Sequence, residues 1–278
     1  MVIFPLYAGA EHDSTALRRL RIGAAVLTLI TALAWFAFTT ASMAGDLAAA
    51  AQPSLLASVA TNTGFGRLWM VRIALATLMI GLVLSRSRDR RLHIAAALLA
   101  GCLIASLAGT GHGPSPEGPS GWPHLGADGL HLLAVGAWLG AFPPLVLLVF
   151  GPLETERAVT RAHGALDSFS RIGPVVVALI VLSGLVNGWC LAGLNHLSDL
   201  AMTPWGVALL VKLALFAGML GLAAAHRWRL VPLLAATGGG SNTVRVLRRT
   251  LALEAGLGLA VLAAVAFLGT LQPPSDPT

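Results

Sequence analysis

The sequence predicts an all-α fold, a polytopic bundle of transmembrane helices with about seven spans and short interfacial helices. Three observations carry this. Charged residues are 11% of the 278-residue chain and apolar residues 56%, against roughly 25% and 45–50% in soluble domains. The apolar residues fall in runs close to the ~20 needed to cross the hydrocarbon core. The basic residues, finally, sit in short clusters between those runs. The net charge of +6 therefore reads as a topology signal, which excludes nucleic acid as the partner and leaves membrane lipid. Glu11 and Asp13, with no basic stretch ahead of an apolar core, argue against a cleavable signal peptide. No internal repeat and no soluble module interrupts the pattern, so residues 1–278 read as one integral membrane domain.

In order, the expected spans are Ile22–Met43, Leu68–Leu84, Leu92–Thr110, Leu125–Phe150, Ile172–Leu194, Trp205–Ala225 and Leu251–Leu271. The second extends outward through Gly66 and Arg67. Pro143-Pro144 removes backbone donors and should kink or end the fourth. Asp46–Gly66 carries Leu55, Leu56 and Val59 at helical spacing and reads as a short surface helix. Leu153–Arg171 gathers Val159, Ala162, Leu166 and Phe169 on one face and reads as an interfacial helix separate from the fifth span. Thr237–Ser241 is a glycine-rich break. Cys102 and Cys190 fall at different depths, which disfavours a disulfide.

Fifteen of the eighteen basic residues fall on one side of this arrangement, in clusters around Arg18–Arg21, Arg86–Arg91, Arg157–Arg171 and Arg227–Arg249. The positive-inside rule then predicts a cytoplasmic N-terminus and a periplasmic C-terminus. It also sets the Gly/Pro-rich loop from Gly111 to Pro123 on the outer side.

An ionisable side chain in hydrocarbon costs roughly 2.5–3.5 kcal/mol on insertion scales, so each one inside a span needs a partner or a task. Arg72, Asp128, His131, Asn187 and Lys212 all fall in the outer third; Glu254 alone lies near the cytoplasmic end. His124, Asp128 and His131 are spaced i, i+4, i+7, one stripe of a helix, with Trp138 two turns further on. The loop holding His112 is long enough to fold back on that stripe. Imidazoles with a nearby carboxylate suit copper, zinc or iron. The same spacing also suits a structural role, with Asp128 paired to Arg72 or Lys212 and His131 bonded across helices. Met43 and Met202 stand at outer span ends, and a thioether suits Cu(I). Trp69, Trp122, Trp189 and Trp205 fit an aromatic belt, while His93 and His226, beside arginines, read as interfacial. With no nucleophile–base pair and no phosphate loop, the chain does not read as an enzyme.

ADGLHLLAVGAWLGAF, preceded by a GH-containing loop, resembles the core of the bacterial copper resistance protein D (CopD) family. SFSRIGPVVVALIVLSGLVNGW, MTPWGVALLVKLALF, LRRTLALEAGLGLAVLAAVAFLGTLQPP, TTASMAG and TNTGFGRLWMVR resemble further family segments in the family's order. The resemblance implies an inner-membrane protein connected with copper uptake or copper resistance, whose partner is a periplasmic copper-binding protein of the CopC type. Matched position by position, it singles out His112, Asp128, His131, Trp138, Asn187, Lys212 and Glu254. Trp205, Val207, Ser168 and Asn62 depart from the family's usual residues, and family members commonly carry one more N-terminal span.

The expectation is a copper-handling protein that accepts the ion at His112 and His131, with His124 met first on the way in and Met43 as a further ligand. Asp128 orients an imidazole, and Arg72 and Lys212 balance its charge or gate the path. Two other readings stay open: b-type haem held by His112 or His131, and a non-transporting assembly or sensing component that docks a periplasmic partner through Asp46–Gly66 and the Gly111–Phe142 hairpin.

Overall fold

A computed structural model describes residues 1, 3–8, 14–85, 89–108, 121–192 and 202–271. Among these, all regular structure is helical: α1 (Phe4–Ala8), α2 (Thr15–Ala44), α3 (Pro53–Asn62), α4 (Gly64–Leu84), α5 (Arg90–Ala105), α6 (Gly121–Leu139), α7 (Phe142–Phe150), α8 (Glu156–Ala192), α9 (Pro204–Ala225), α10 (Val231–Ala236) and α11 (Ser241–Leu268). Six described stretches are long and apolar enough to cross a membrane, namely α2, α4, α6 with α7, α8, α9 through α10, and α11. The expected span Leu92–Thr110 appears as the 16-residue α5, about 24 Å at 1.5 Å per residue. Residues 109 and 110 lie outside the described residues. Large apolar side chains such as Leu27, Phe38, Leu98, Leu185 and Leu259 point outward, as lipid contact requires and water would penalise.

The helices form two compact units. The first holds α2 to α5. Ser14 caps α2 by accepting from the Leu17 amide, and Gly45 at φ +69° closes it with bonds to the Ala41 and Ser42 carbonyls. Thr63 caps α4 through the Gly66 amide, so this span does begin ahead of Leu68, as the sequence suggests. A Cβ at Gly66 would lie 1.9 Å from the Val59 carbonyl oxygen; only glycine lets α3 and α4 meet this closely. Trp69 is buried, donates to the Ala32 carbonyl at 2.7 Å, and stacks on Phe65 and Trp35.

The second unit holds α6 to α11. Pro143-Pro144 acts as expected: α6 stops at Leu139, and both prolines sit in the first turn of α7, where their missing N–H groups leave no helical bond unmade. Two expectations need correction. Leu153–Arg171 is not a separate interfacial helix, because α8 runs unbroken from Glu156 to Ala192 through Pro174. Its first half does present Val159, Ala162 and Leu166 on one buried face, but that face packs on α10 rather than lying on lipid. Trp205, like Trp69, is core rather than belt, whereas Trp122 and Trp189 are exposed.

The span that starts with α9 does not end at Ala225. It passes through one wider π turn, His226–Leu230, into α10. Pro232 lacks an N–H for the Trp228 carbonyl and its ring would crowd that oxygen. The turn widens so that the Val231 amide donates to the His226 carbonyl instead. Cys102 and Cys190 are free thiols.

Candidate metal site on α6 and α8

His124, Asp128 and His131 share a stripe of α6, all half-buried. His131 is the member that a neighbouring helix holds in place. Its Nδ1 lies 3.1 Å from the Ile180 carbonyl oxygen and 3.1 Å from the Ser183 hydroxyl on α8. A carbonyl oxygen has no proton to give, and the Ser183 hydroxyl donates to the Leu179 carbonyl. Nδ1 must therefore be the donor, and in the neutral ring the lone pair sits on Nε2. Gly184 completes the seat: a Cβ there would meet the imidazole Cε1 at 3.4 Å and Nδ1 at 3.6 Å. Metal-ligating imidazoles are commonly held this way through their other nitrogen, and the same bond is the interhelical contact that the sequence also allows as a structural role.

Around that ring, Asp128 and Lys212 each interact electrostatically with His131 and with one another. Among the described residues, three buried polar atoms on α6 and α8 have no hydrogen-bond partner: His124 Nδ1, Asn187 Oδ1 and Trp138 Nε1. Asn187 is four residues beyond Ser183, so it continues the same face of α8 away from His131. Orphaned donors and acceptors in a membrane interior are costly and mark places that take a guest. Trp138, two turns from His131, sits edge-on to Phe216 of α9 with ring centroids 6.2 Å apart.

Of the other expected participants, His112 lies outside the described residues. Arg72 is buried in the first unit, where it donates to the Leu103 carbonyl at 3.0 Å and to Ser106 at 2.5 Å, and lies 5.1 Å over the Trp69 ring. Met43 is an exposed residue of the first unit, and Met202 is exposed ahead of α9. Among the described residues no three His, Cys, Asp or Glu side chains converge on one metal position. Along α8 the one described histidine is His163, in the half preceding Pro174, and α9 has none. A second imidazole facing His131 from these helices, as bis-histidine haem ligation needs, is thus lacking among the described residues.

Glu254, expected near the arginine-rich end, is almost fully buried and has a partner that the sequence does not suggest. His226 is not interfacial: it is buried, with Nδ1 2.8 Å from Glu254 Oε2 and Nε2 2.8 Å from Thr250 Oγ1. His226 was obscured by the arginines beside it. A histidine followed six residues later by a proline inside an apolar run was the available signal for the π turn. For the His131 seat the signal was the Ser183-Gly184 pair one turn ahead of Asn187.

A many-span helical bundle with a histidine–carboxylate stripe, one imidazole presented by its neighbour, defines an integral membrane protein with a candidate metal-binding face. Residues 163–268 match the family Copper resistance protein D, and residues 1–122 match the Copper resistance protein D-like N-terminal domain. The chain is 34% identical to copper resistance protein D of Pseudomonas syringae pv. tomato, over 98% of this chain and 91% of that protein. It is 30% identical to inner membrane protein YebZ of Escherichia coli K12, over 92% and 84% of the two chains. It is also 30% identical to copper transport protein CutJ of Bacillus subtilis 168, over 86% of this chain and 42% of that one. The chain belongs to the copper resistance protein D family. No solved structure matches it.

Proposed function

We propose that residues 1–278 act as one inner-membrane domain that accepts copper from the periplasmic side and passes it into the bundle. Copper is the cargo, and the carrying observation is the His131 seat, which leaves the Nε2 lone pair for an ion, with Asp128 one turn away on the same stripe of α6. His124 and Asn187 supply further unbonded polar atoms toward the N-terminal end of α6, where the loop with His112 joins. In this reading His112 and His131 are the principal ligands, and His124 meets the ion first. Asp128 contributes negative charge and Lys212 balances it when the ion is absent. Since Ile180 and Ser183 already orient the ring, Asp128 is not needed for that purpose. Met43 is a collecting ligand at the surface. The donor partner is a periplasmic copper-binding protein of the CopC type, in keeping with a family named for copper resistance and a relative named for copper transport.

The test is copper accumulation and copper tolerance in cells, together with metal content of the purified protein, for wild type, His131→Ala and His112→Ala. Loss of a ligand should cut copper occupancy by about tenfold or more. Unchanged occupancy and accumulation in both variants would sink the proposal.

A further inference from the structure

The buried pair on the π turn has a task that the metal face does not explain. Thr250 Oγ1 lies 3.0 Å from the Val246 carbonyl and 3.2 Å from the Leu247 carbonyl, so its proton is committed to the backbone. Its remaining lone pair accepts from His226, which therefore carries a proton on Nε2. His226 Nδ1 then faces Glu254 Oε2 at 2.8 Å. Two bare lone pairs at that distance repel, so a proton must lie between them, on either the imidazole or the carboxyl. With that proton the pair is neutral. Without it the pair is a buried carboxylate against a neutral imidazole, carrying one negative charge.

The surroundings leave the pair to itself. On α8, Asp167 and Arg171 bind one another at 2.7 Å, Glu156, Arg157 and Arg161 are exposed, and His163 is half-buried. On α11, Arg248 donates to the carbonyls of Val149 and Gly151, while Arg245 and Arg249 are exposed. Within the turn, Arg227 donates to the Ser170 carbonyl and Arg229 is exposed. Lys212 of α9 is fourteen residues before His226, about 21 Å along the axis, and α10 has no ionisable residue. The His226 side chain keeps 11% of its surface open against 3% for Glu254, so His226 is the more accessible member of the pair. A π turn, a buried histidine and a buried carboxylate together are the parts of a membrane proton relay.

From this geometry we infer that His226 and Glu254 form a one-proton binding site, distinct from the metal face, which exchanges its proton as copper crosses the bundle. The second half of this statement rests on the transport reading; the first does not. Without copper, infrared difference spectra of the purified protein across a pH series should include one band from this pair, a carboxylic-acid band where the proton rests on Glu254 and a carboxylate band perturbed by imidazolium where it rests on His226. That band should be absent in Glu254→Gln and altered in His226→Gln. In vesicles loaded with the same proteins, one proton per ion makes a pH gradient of about one unit worth about tenfold in copper accumulation. Wild type should show that dependence and Glu254→Gln should lose it. Difference spectra of wild type and Glu254→Gln that coincide across the pH series would overturn the site. A clear Glu254 band with copper entry indifferent to the gradient would overturn the coupling. Copper entry that is absent altogether, with the band present, counts against the transport reading and leaves the proton site standing.

Discussion

His131 shows how much of an imidazole's character is set by the backbone and hydroxyl groups around it. The Ile180 carbonyl and Ser183 hydroxyl select which nitrogen carries the proton, and Gly184 lets the ring come within van der Waals contact of the α8 backbone. Removing the hydroxyl leaves the carbonyl as the sole acceptor, so the ring is held less firmly. Ser183→Ala should weaken copper occupancy by about tenfold, and Ser183→Thr, which keeps the hydroxyl, should restore most of it. Gly184→Leu should displace the ring and abolish occupancy, whereas Gly184→Ala, with its Cβ at 3.4 Å, should stay close to wild type. Metal content of the four purified variants checks the series, and equal occupancy in Ser183→Ala and wild type would remove the seat from the site. None of this is legible from spacing. The stripe His124, Asp128, His131 lies within one helix and can be read from a 3.6-residue period. The seat depends on the register between two helices whose contacting residues are 49 and 52 positions apart.

At the scale of elements, apolar runs located the spans because hydrocarbon demands length and backbone closure, and both are written locally. The Pro143-Pro144 break was legible for the same reason. The continuity of α8 was not. Arg157, Arg161 and Arg171 placed a topological boundary where the chain in fact keeps turning as a helix, because the amphipathic half finds α10 to pack on. Spin labels at Thr160→Cys and Leu182→Cys, both exposed positions, test this in a background lacking Cys102 and Cys190. Twenty-two residues of continuous helix put the two Cα atoms about 33 Å apart. A flat interfacial helix meeting a span at Arg171 at a right angle would bring them to about 23 Å, and a distance near that value would refute the single helix. The His226–Glu254 pair escaped the sequence in a related way: a histidine flanked by Arg227 and Arg229 looks solvated until α11, 28 residues on, supplies its carboxylate.

For the molecule as a whole, the uneven distribution of basic residues predicts which ends face which compartment. Single cysteines at Met43 and Met202, both exposed, should react with a membrane-impermeant thiol reagent from the periplasmic side of intact cells. Cysteines at Gly151 and Arg245 should react only after the membrane is opened. The reverse pattern would invert the bundle and, with it, the side proposed for copper entry. Lipid-facing surface is abundant on α2, α4, α8, α9 and α11, so detergent belts rather than water should cover these faces in the purified protein.

The unbroken course of α8 gives the molecule a push-rod. One end of it holds the imidazole of His131 at Ile180 to Gly184; further back, the Ser170 carbonyl holds Arg227, next to His226. Ser170 and Ile180 are ten residues apart, about 15 Å of rise, with Pro174 as the one place between them where a proline interrupts the backbone ladder. A rod that slides or pivots there delivers at one end what it receives at the other, and the traffic runs both ways. On the proposed reading, an ion at the seat would act on the same helix whose Ser170 carbonyl holds Arg227 at the π turn.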